Sequence, residues 1–331
     1  MNRVPVPCVS VVVPTFKRPL LLARCLAALA RQDIPRDRYE VLVCDDAASA
    51  ATRRQVEALR REWQGLPSLR YLEVSGTRGP AGARNLGWRS AKAELIAFTD
   101  DDTIVHRDWL RRGLHALGTA GADTAAVSGA TDMPLPDPPN DYERDAAGLT
   151  RSEFITANCF LRRSALVAVG GFDPRYTMAW REDSDLHFAL LDQGLAVRRA
   201  EEARVTHPLR PVRFAAGLGM QKKVMFDMLL RRKYPLLYRS RIRPHAPRFY
   251  LAVSASLLAA AALAALGHWT GAAVAAALWL ALSIVFFLRR LRGTRRTPRD
   301  VADLAVTSAC IPLLSIAWRT VGLLRFARVR P

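Results

Sequence analysis

Between Arg248 and Arg289 the chain runs for 40 residues without a single Asp, Glu, Lys or Arg. At about 1.5 Å per residue this is roughly 60 Å of helix, enough for two bilayer cores of about 30 Å each. Gly267-His268-Trp269-Thr270-Gly271 interrupts the run near its middle. The expected structure is therefore a transmembrane helical hairpin, residues 249–266 and 270–288, with Trp269 at an interface. A buried helix pair in a soluble core would normally show a polar face, which this stretch lacks.

The charge of the chain agrees with a membrane partner. Of the net +19 over 331 residues, almost all lies in the tail: residues 1–210 hold 29 Lys/Arg against 27 Asp/Glu, and residues 211–331 hold 20 against three. An isoelectric point near 10.8 would ordinarily raise nucleic-acid binding. Here the basic residues flank apolar runs, which points to anionic membrane lipids and away from nucleic acid. Arg239, Arg241, Arg243 and Arg248 precede the hairpin, and Arg289, Arg290, Arg292, Arg295, Arg296 and Arg299 follow it. By the positive-inside bias, both ends face the cytoplasm. The domain before them then faces it too, and residues 1–7 lack the apolar stretch of a secretory leader.

Two further segments belong to this part. Residues 214–237 interleave Met220, Val224, Phe226, Met228 and Leu229 with Lys222, Lys223, Arg231, Arg232 and Lys233, a composition suited to a helix in the headgroup region. Residues 304–318 form a third apolar stretch, interrupted by Pro312 and followed by Arg319. A third span would strand Arg325, Arg328 and Arg330 on the far side, so an interfacial or re-entrant segment is expected. Four divisions result: 1–210 a soluble domain, 211–248 a basic amphipathic juxtamembrane segment, 249–288 the hairpin, and 289–331 a basic loop with the third apolar segment. The protein is expected to be multi-pass in the cytoplasmic membrane.

The soluble domain alternates short apolar runs (9–13, 39–44, 69–74, 94–98) with stretches of helical spacing (19–31, 52–63, 81–91). Such alternation implies an α/β fold with a mostly parallel sheet covered on both faces. Ligands bind such sheets beyond the carboxyl ends of the strands. The five cysteines are odd in number and widely spaced with no C-x-x-C pair, so neither a disulfide framework nor a thiolate zinc site is expected; Cys8 and Cys44 read as small core residues.

Polar clusters stand at three strand ends. The first strand leads into Pro14-Thr15-Phe16-Lys17-Arg18, the second ends in Asp45-Asp46, and the fourth in Thr99-Asp100-Asp101-Asp102. Three adjacent carboxylates repel one another unless a cation is present. An oxygen-rich set of this kind suits Mg²⁺ or Mn²⁺ bridging substrate phosphates, although a solvated acidic turn explains the triplet alone equally well. A second acidic group, Glu182-Asp183-Ser184-Asp185, opens a helical run and would favour a helix N-terminus. A metal–diphosphate site also needs a separate carboxylate to deprotonate an incoming hydroxyl, and this is the other dense acidic group of the domain. Residues 134–145, rich in Pro and acids, read as a loop. His207 closes the domain, and a lone histidine is more often packing than ligand.

These motifs, in this order, resemble the family-2 inverting nucleotide-sugar glycosyltransferases of the GT-A fold over residues 9–207. Val43-Cys44-Asp45-Asp46-Ala47-Ala48-Ser49 resembles the V-x-D-D-G-S turn in which an aspartate holds the nucleotide base, with Ala47 in place of the glycine. Gly79-Pro80-Ala81-Gly82-Ala83-Arg84-Asn85 resembles the family's G-x-x-x-A-R-N segment, and Asp100-Asp101-Asp102 takes the place of its D-x-D motif. Gly170-Gly171-Phe172-Asp173 followed by Glu182-Asp183 resembles G-G-F-D…E-D, whose second acid is the base.

The resemblance implies donor contacts from Pro14, Thr15, Phe16, Arg18, Asp45, Asp46, Arg84, Asn85, Asp100 and Asp101. It implies a divalent metal (Mg²⁺ or Mn²⁺) on Asp102, Asp100 and His207, catalysis by Asp183 with Glu182, and Asn158 and Trp180 on the acceptor side. The implied function is transfer of a sugar from a nucleotide-sugar donor to a hydroxyl of a lipid-linked or cell-surface glycan. The alternative is a polyprenyl-phosphate glycosyltransferase, in which the lipid phosphate accepts the sugar. A nucleotidyltransferase is disfavoured because no basic glycine-rich loop follows the first strand, and a non-catalytic scaffold by the intact acids. No Q-x-x-R-W motif follows His207, which disfavours a processive polymerase.

Overall fold

The computed structural model describes residues 6–243 and 245–329. Residues 1–5 of the N-terminal segment, and Arg330, lie outside the described residues. The chain divides into two compact units, Met1–Pro134 with Leu149–Pro208, and Leu135–Gly148 with Leu209–Pro331.

The first unit is built on an eight-stranded sheet of order β3-β2-β1-β4-β7-β6-β8-β5. Its strands are β1 (Val9–Thr15), β2 (Tyr39–Asp45), β3 (Ser68–Glu73), β4 (Leu95–Thr99), β5 (Ile104–Val105), β6 (Thr124–Asp132), β7 (Asn158–Arg162) and β8 (Ala196–Thr206). β1 is parallel to both β2 and β4, and β2 to β3. β7 is antiparallel to β4 and β6, and β6 runs parallel to β8. The mostly parallel sheet expected from the alternation is present. β1 and β2 are buried along their whole length, as continuous apolar runs in such sheets are. Pro14 is tolerated because the pairing of β1 with β4 ends at Val12–Phe98, so the missing N–H lies past that ladder.

Helices α1 (Pro19–Leu29), α2 (Ala50–Glu62), α3 (Pro80–Ser90) and α4 (Trp109–Thr119) connect these strands. α3 lies so close to the sheet that a Cβ on Gly87 would meet Val12 Cγ1 at 2.3 Å and Cys44 Sγ at 2.9 Å. Cys25, Cys44 and Cys159 are buried free thiols, whereas Cys8 is only partly covered. β1 and β4 are neighbours whose connections leave in opposite directions, so a crevice opens at their carboxyl ends. Helices α6 (Arg163–Val169) and α7 (Glu182–Asp192) complete the unit.

In the second unit, residues 135–148 are not wholly loop. α5 (Asp141–Ala146) starts from a capping box in which Asn140 and Glu143 bond each other's backbone N–H. Asp141 accepts two hydrogen bonds from Arg290, at 2.7 and 3.1 Å. The juxtamembrane segment forms α8 (Ala216–Met220), α9 (Met225–Lys233) and a single turn, α10 (Pro235–Leu237). The hairpin is α11 (Arg248–Ala265) and α12 (Trp269–Leu291), with Gly267 at φ +76° in its turn. α13 (Pro298–Arg325) continues unbroken through Pro312, against the expected interruption. By length and composition, α11, α12 and α13 could each cross a membrane.

Replacing Gly87 by Ala is expected to overpack the α3–sheet contact and cost about 1–3 kcal/mol. A thermal-unfolding midpoint unchanged from the parent would contradict this packing.

Candidate active site

The carboxyl ends of β4 and β8 bring two members of the acidic triplet to a histidine. Asp100 and Asp102 leave β4, and His207 follows β8; one ligand atom from each lies within 4.8 Å of the others. His207 Nε2 is 3.5 Å from Asp102 Oδ1, and its buried Nδ1 has no hydrogen-bond partner among the described residues. Two carboxylates and an imidazole form a donor set that suits a divalent ion such as Mn²⁺, and the orphaned ring nitrogen is what a missing ligand would leave. The residues therefore fit a metal.

Asp101 departs from its expected place on the donor. It is buried, accepts from Thr15 Oγ1 at 2.7 Å and from Arg18 at 3.2 Å. Burial pushes its carboxyl up to about 6. The middle aspartate thus ties the loop after β1 to the end of β4. Asp102, next to it in the turn after β4, also lies 3.7 Å from Arg18, so one guanidinium reaches both carboxylates.

The Asp45-Asp46 pair divides in the same manner. Asp45 is fully buried and accepts from the backbone N–H of Ala47 and Ser49 and from Tyr71 Oη. It forms the turn, with three hydrogen bonds accepted within the protein. Asp46 receives Gly79 N–H at 2.8 Å on one oxygen, while its Oδ1 is buried without a partner. Burial raises the Asp46 carboxyl above its ordinary range. Ala47 causes no strain in place of the family glycine, because the left-handed residue of the turn is Ala48, at φ +50°. Gly79, at φ +89°, is required: a Cβ there would meet the Thr177 carbonyl oxygen at 2.6 Å.

Arg84 connects the two acidic centres. Its guanidinium is buried and donates to Asp100 at 2.7 Å and to Glu182 at 3.1 Å. Burial pushes the Glu182 carboxyl up, against the opposing pull of Arg84. Asp183, the next residue, is half-buried and accepts from the Ser184 backbone N–H at 2.7 Å. Desolvation raises it too, with the nearby charge of Asp100 acting in the same direction.

Asn85, expected on the donor, is instead a structural tie. Its Nδ2 donates to Phe172 O, and its Oδ1 accepts from Phe172 N–H and Trp88 Nε1. Asn158 is likewise withdrawn from the acceptor side. It is fully buried, with Nδ2 donating to Ala130 O and Ala203 O, and Oδ1 accepting from Trp109. Pro14 is buried in β1, while Phe16 and Trp180 are exposed.

Arg181 escaped the sequence reading. It precedes Glu182 at φ +71° and lies over the Trp180 ring at 4.7 Å. A non-glycine residue in that region is strained, and such strain concentrates at functional sites. No local signal in the sequence announces it.

The comparisons fit this geometry. The model for glycosyl transferase family 2 matches residues 10–170, and that for glycosyl transferase family group 2 matches residues 141–289. Succinoglycan biosynthesis protein ExoM of Rhizobium meliloti is 31% identical over 213 residues, 61% of this chain and 67% of that one. The chain belongs to glycosyltransferase family 2. It is also similar to glycosyltransferase AglE of Haloferax volcanii, at 28% identity over 248 residues, 70% of this chain and 79% of that protein. A solved mannosyltransferase from Pyrobaculum calidifontis, in complex with GDP-Man and Mn2+, matches with a TM-score of 0.57 at 20% identity, covering 97% of this chain and 87% of that one. This likeness shows the GT-A fold. The family-2 enzyme is a glycosyltransferase.

Removing Arg84 as Arg84→Met leaves Glu182 as an uncompensated buried charge, expected to cost about 3–5 kcal/mol. Adding Glu182→Gln is expected to recover a large share of the loss. Equal thermal midpoints for the parent and the single variant would contradict the bridge. Asn158→Ala, which strands buried backbone and indole groups, is expected to cost about 1–3 kcal/mol per orphaned group while leaving acceptor KM unchanged in the folded fraction.

Proposed function

We propose that this family-2 glycosyltransferase is a membrane-anchored, metal-dependent, inverting enzyme. It moves a sugar from a nucleotide-sugar donor to a hydroxyl of a lipid-linked or cell-surface glycan. The observation that carries the reading is the Arg84 bridge. It fixes Glu182, and with it Asp183, relative to Asp100 of the metal-type cluster, so an accessible base stands beside the place suited to a diphosphate.

Asp102, Asp100 and His207 would hold the ion, which when bound supplies Lewis-acid neutralisation of the diphosphate leaving group. Asp46, through its uncommitted Oδ1, would accept from the nucleotide base. Asp183 would take the proton of the acceptor hydroxyl. The oxygen then forms a bond to the anomeric carbon on the face opposite the diphosphate, as the carbon–phosphate-oxygen bond breaks and the nucleoside diphosphate leaves. One displacement gives inversion. Arg84, held between two carboxylates, keeps the base from drifting as the charge at the donor changes.

The Mn2+ and GDP-Man complex of the structural neighbour, and the succinoglycan role in the name of ExoM, support a nucleotide-sugar donor and a glycan-type acceptor. The apolar helices α11 and α12 support membrane anchoring, with the catalytic unit on the cytoplasmic side.

General-base catalysis of this kind is worth about 10²–10⁴-fold. Asp183→Asn is expected to lower kcat by that factor with donor Kd within about twofold of the parent; transfer at the parent rate would refute the base assignment. A raised Asp183 carboxyl stays protonated to higher pH, so the acid limb of kcat/KM is expected above the ordinary carboxylate range of about 4. A profile flat down to pH 4 would contradict it.

A further inference from the structure

α13 is apolar enough to be a third span, yet its two faces are distributed the wrong way round for a soluble helix. The buried face carries Leu304, Ser308, Ile311, Ser315, Arg319 and Gly322. Their spacing of three and four places them on one stripe. On the opposite stripe, Val306, Cys310, Ala317, Val321 and Leu324 are exposed, Leu324 at 74%. Ser308, Ser315 and Arg319 point into the protein while Val306, Val321 and Leu324 point out, which suits contact with lipid.

The opening turns of α13 meet the base of the hairpin. Phe249 and Tyr250, in the first turn of α11, meet Phe286 near the end of α12 at 5.8 and 5.5 Å between ring centroids. Arg290, one turn further on, donates to Thr307 and Ser308 of α13 at 2.9 and 3.0 Å.

Its companion is the basic juxtamembrane segment. Gly217 meets Thr307 and Ile311, and a Cβ on Gly322 would strike the Met225 carbonyl oxygen at 2.5 Å. Asp227 pairs with Arg319 at 3.3 Å, both largely buried, and Lys222 lies over the Trp318 ring. If α13 crossed the bilayer, this segment would be drawn in with Lys222 and Lys223, charges that hydrocarbon disfavours strongly.

We propose that α13 lies in the membrane interface, on the same side as the catalytic unit, with its Val306–Leu324 stripe in the headgroup–acyl boundary. Flanking arginines (Arg296, Arg299, Arg325 and Arg328) meet anionic headgroups there. The chain then crosses twice. The partner of this surface is an anionic lipid bilayer, and the inference rests on the membrane anchoring proposed above.

The test uses full-length protein in oriented membrane vesicles, with Cys8 and Cys310 replaced by Ser and one cysteine introduced at a time. An impermeant maleimide is expected to label Arg328→Cys from the same side as Glu57→Cys, and His268→Cys from the other. Labelling of Arg328→Cys from the His268→Cys side would overturn the placement of α13 and leave the hairpin intact. His268→Cys labelling from the Glu57→Cys side would remove the hairpin, and membrane spanning with it. Spin labels at Val306→Cys, Leu313→Cys and Val321→Cys in vesicles containing anionic lipid measure depth. Depths equal within about 5 Å support a flat helix. A steady change of about 20 Å over these 15 residues means a span, and a maximum at Leu313→Cys means a re-entrant turn; either overturns the proposal.

Discussion

A guanidinium taken out of water must be matched by carboxylates, and Arg84 is matched by two from different parts of the chain. Asp100 stands beyond β4, and Glu182 opens α7, 98 positions after Arg84. Desolvation makes each charge costly alone, so the three are stable only together. That mutual dependence fixes the opening turn of α7 against the end of β4. Asp183 inherits its position from the bridge without taking part in it, and stays accessible. The strained Arg181 and the close approach of Gly79 to Thr177 are local consequences of bringing these loops together.

The parallel sheet was legible because β1 and β2 are continuous apolar runs and the helices between them keep their period. The acidic clusters were legible because adjacent carboxylates at a strand end repel one another unless something balances them. What composition does not reveal is which member of a cluster faces the crevice. Asp45 and Asp46 are chemically identical, and so are Asp101 and its neighbours; turn geometry divides them into framework and candidate ligand. Asn85 and Asn158 illustrate the same limit: each sits in a motif with the character of a binding residue, but makes three hydrogen bonds to buried backbone and indole groups. Their partners are 28 to 87 residues away, except for Trp88, beyond any local pattern.

In the second unit, the hairpin followed from the absence of charge alone. Pro312 was a poorer guide: a proline removes one N–H and bends a helix, but surrounding packing lets α13 continue past it. The buried Asp227–Arg319 pair could not be foreseen, since it joins residues 92 apart. It turns Arg319, which reads in sequence as the end of an apolar stretch, into an internal anchor.

The central claim is that a cation-dependent donor centre and a separate base act in one transfer. Its most direct test is release of nucleoside diphosphate by the detergent-purified enzyme, with a panel of UDP-, GDP- and dTDP-sugars and a membrane lipid extract as acceptor source. The account predicts release from at least one donor, increased by the extract, abolished by chelation and restored by Mg²⁺ or Mn²⁺. Sustained extract-dependent release after complete chelation would contradict it.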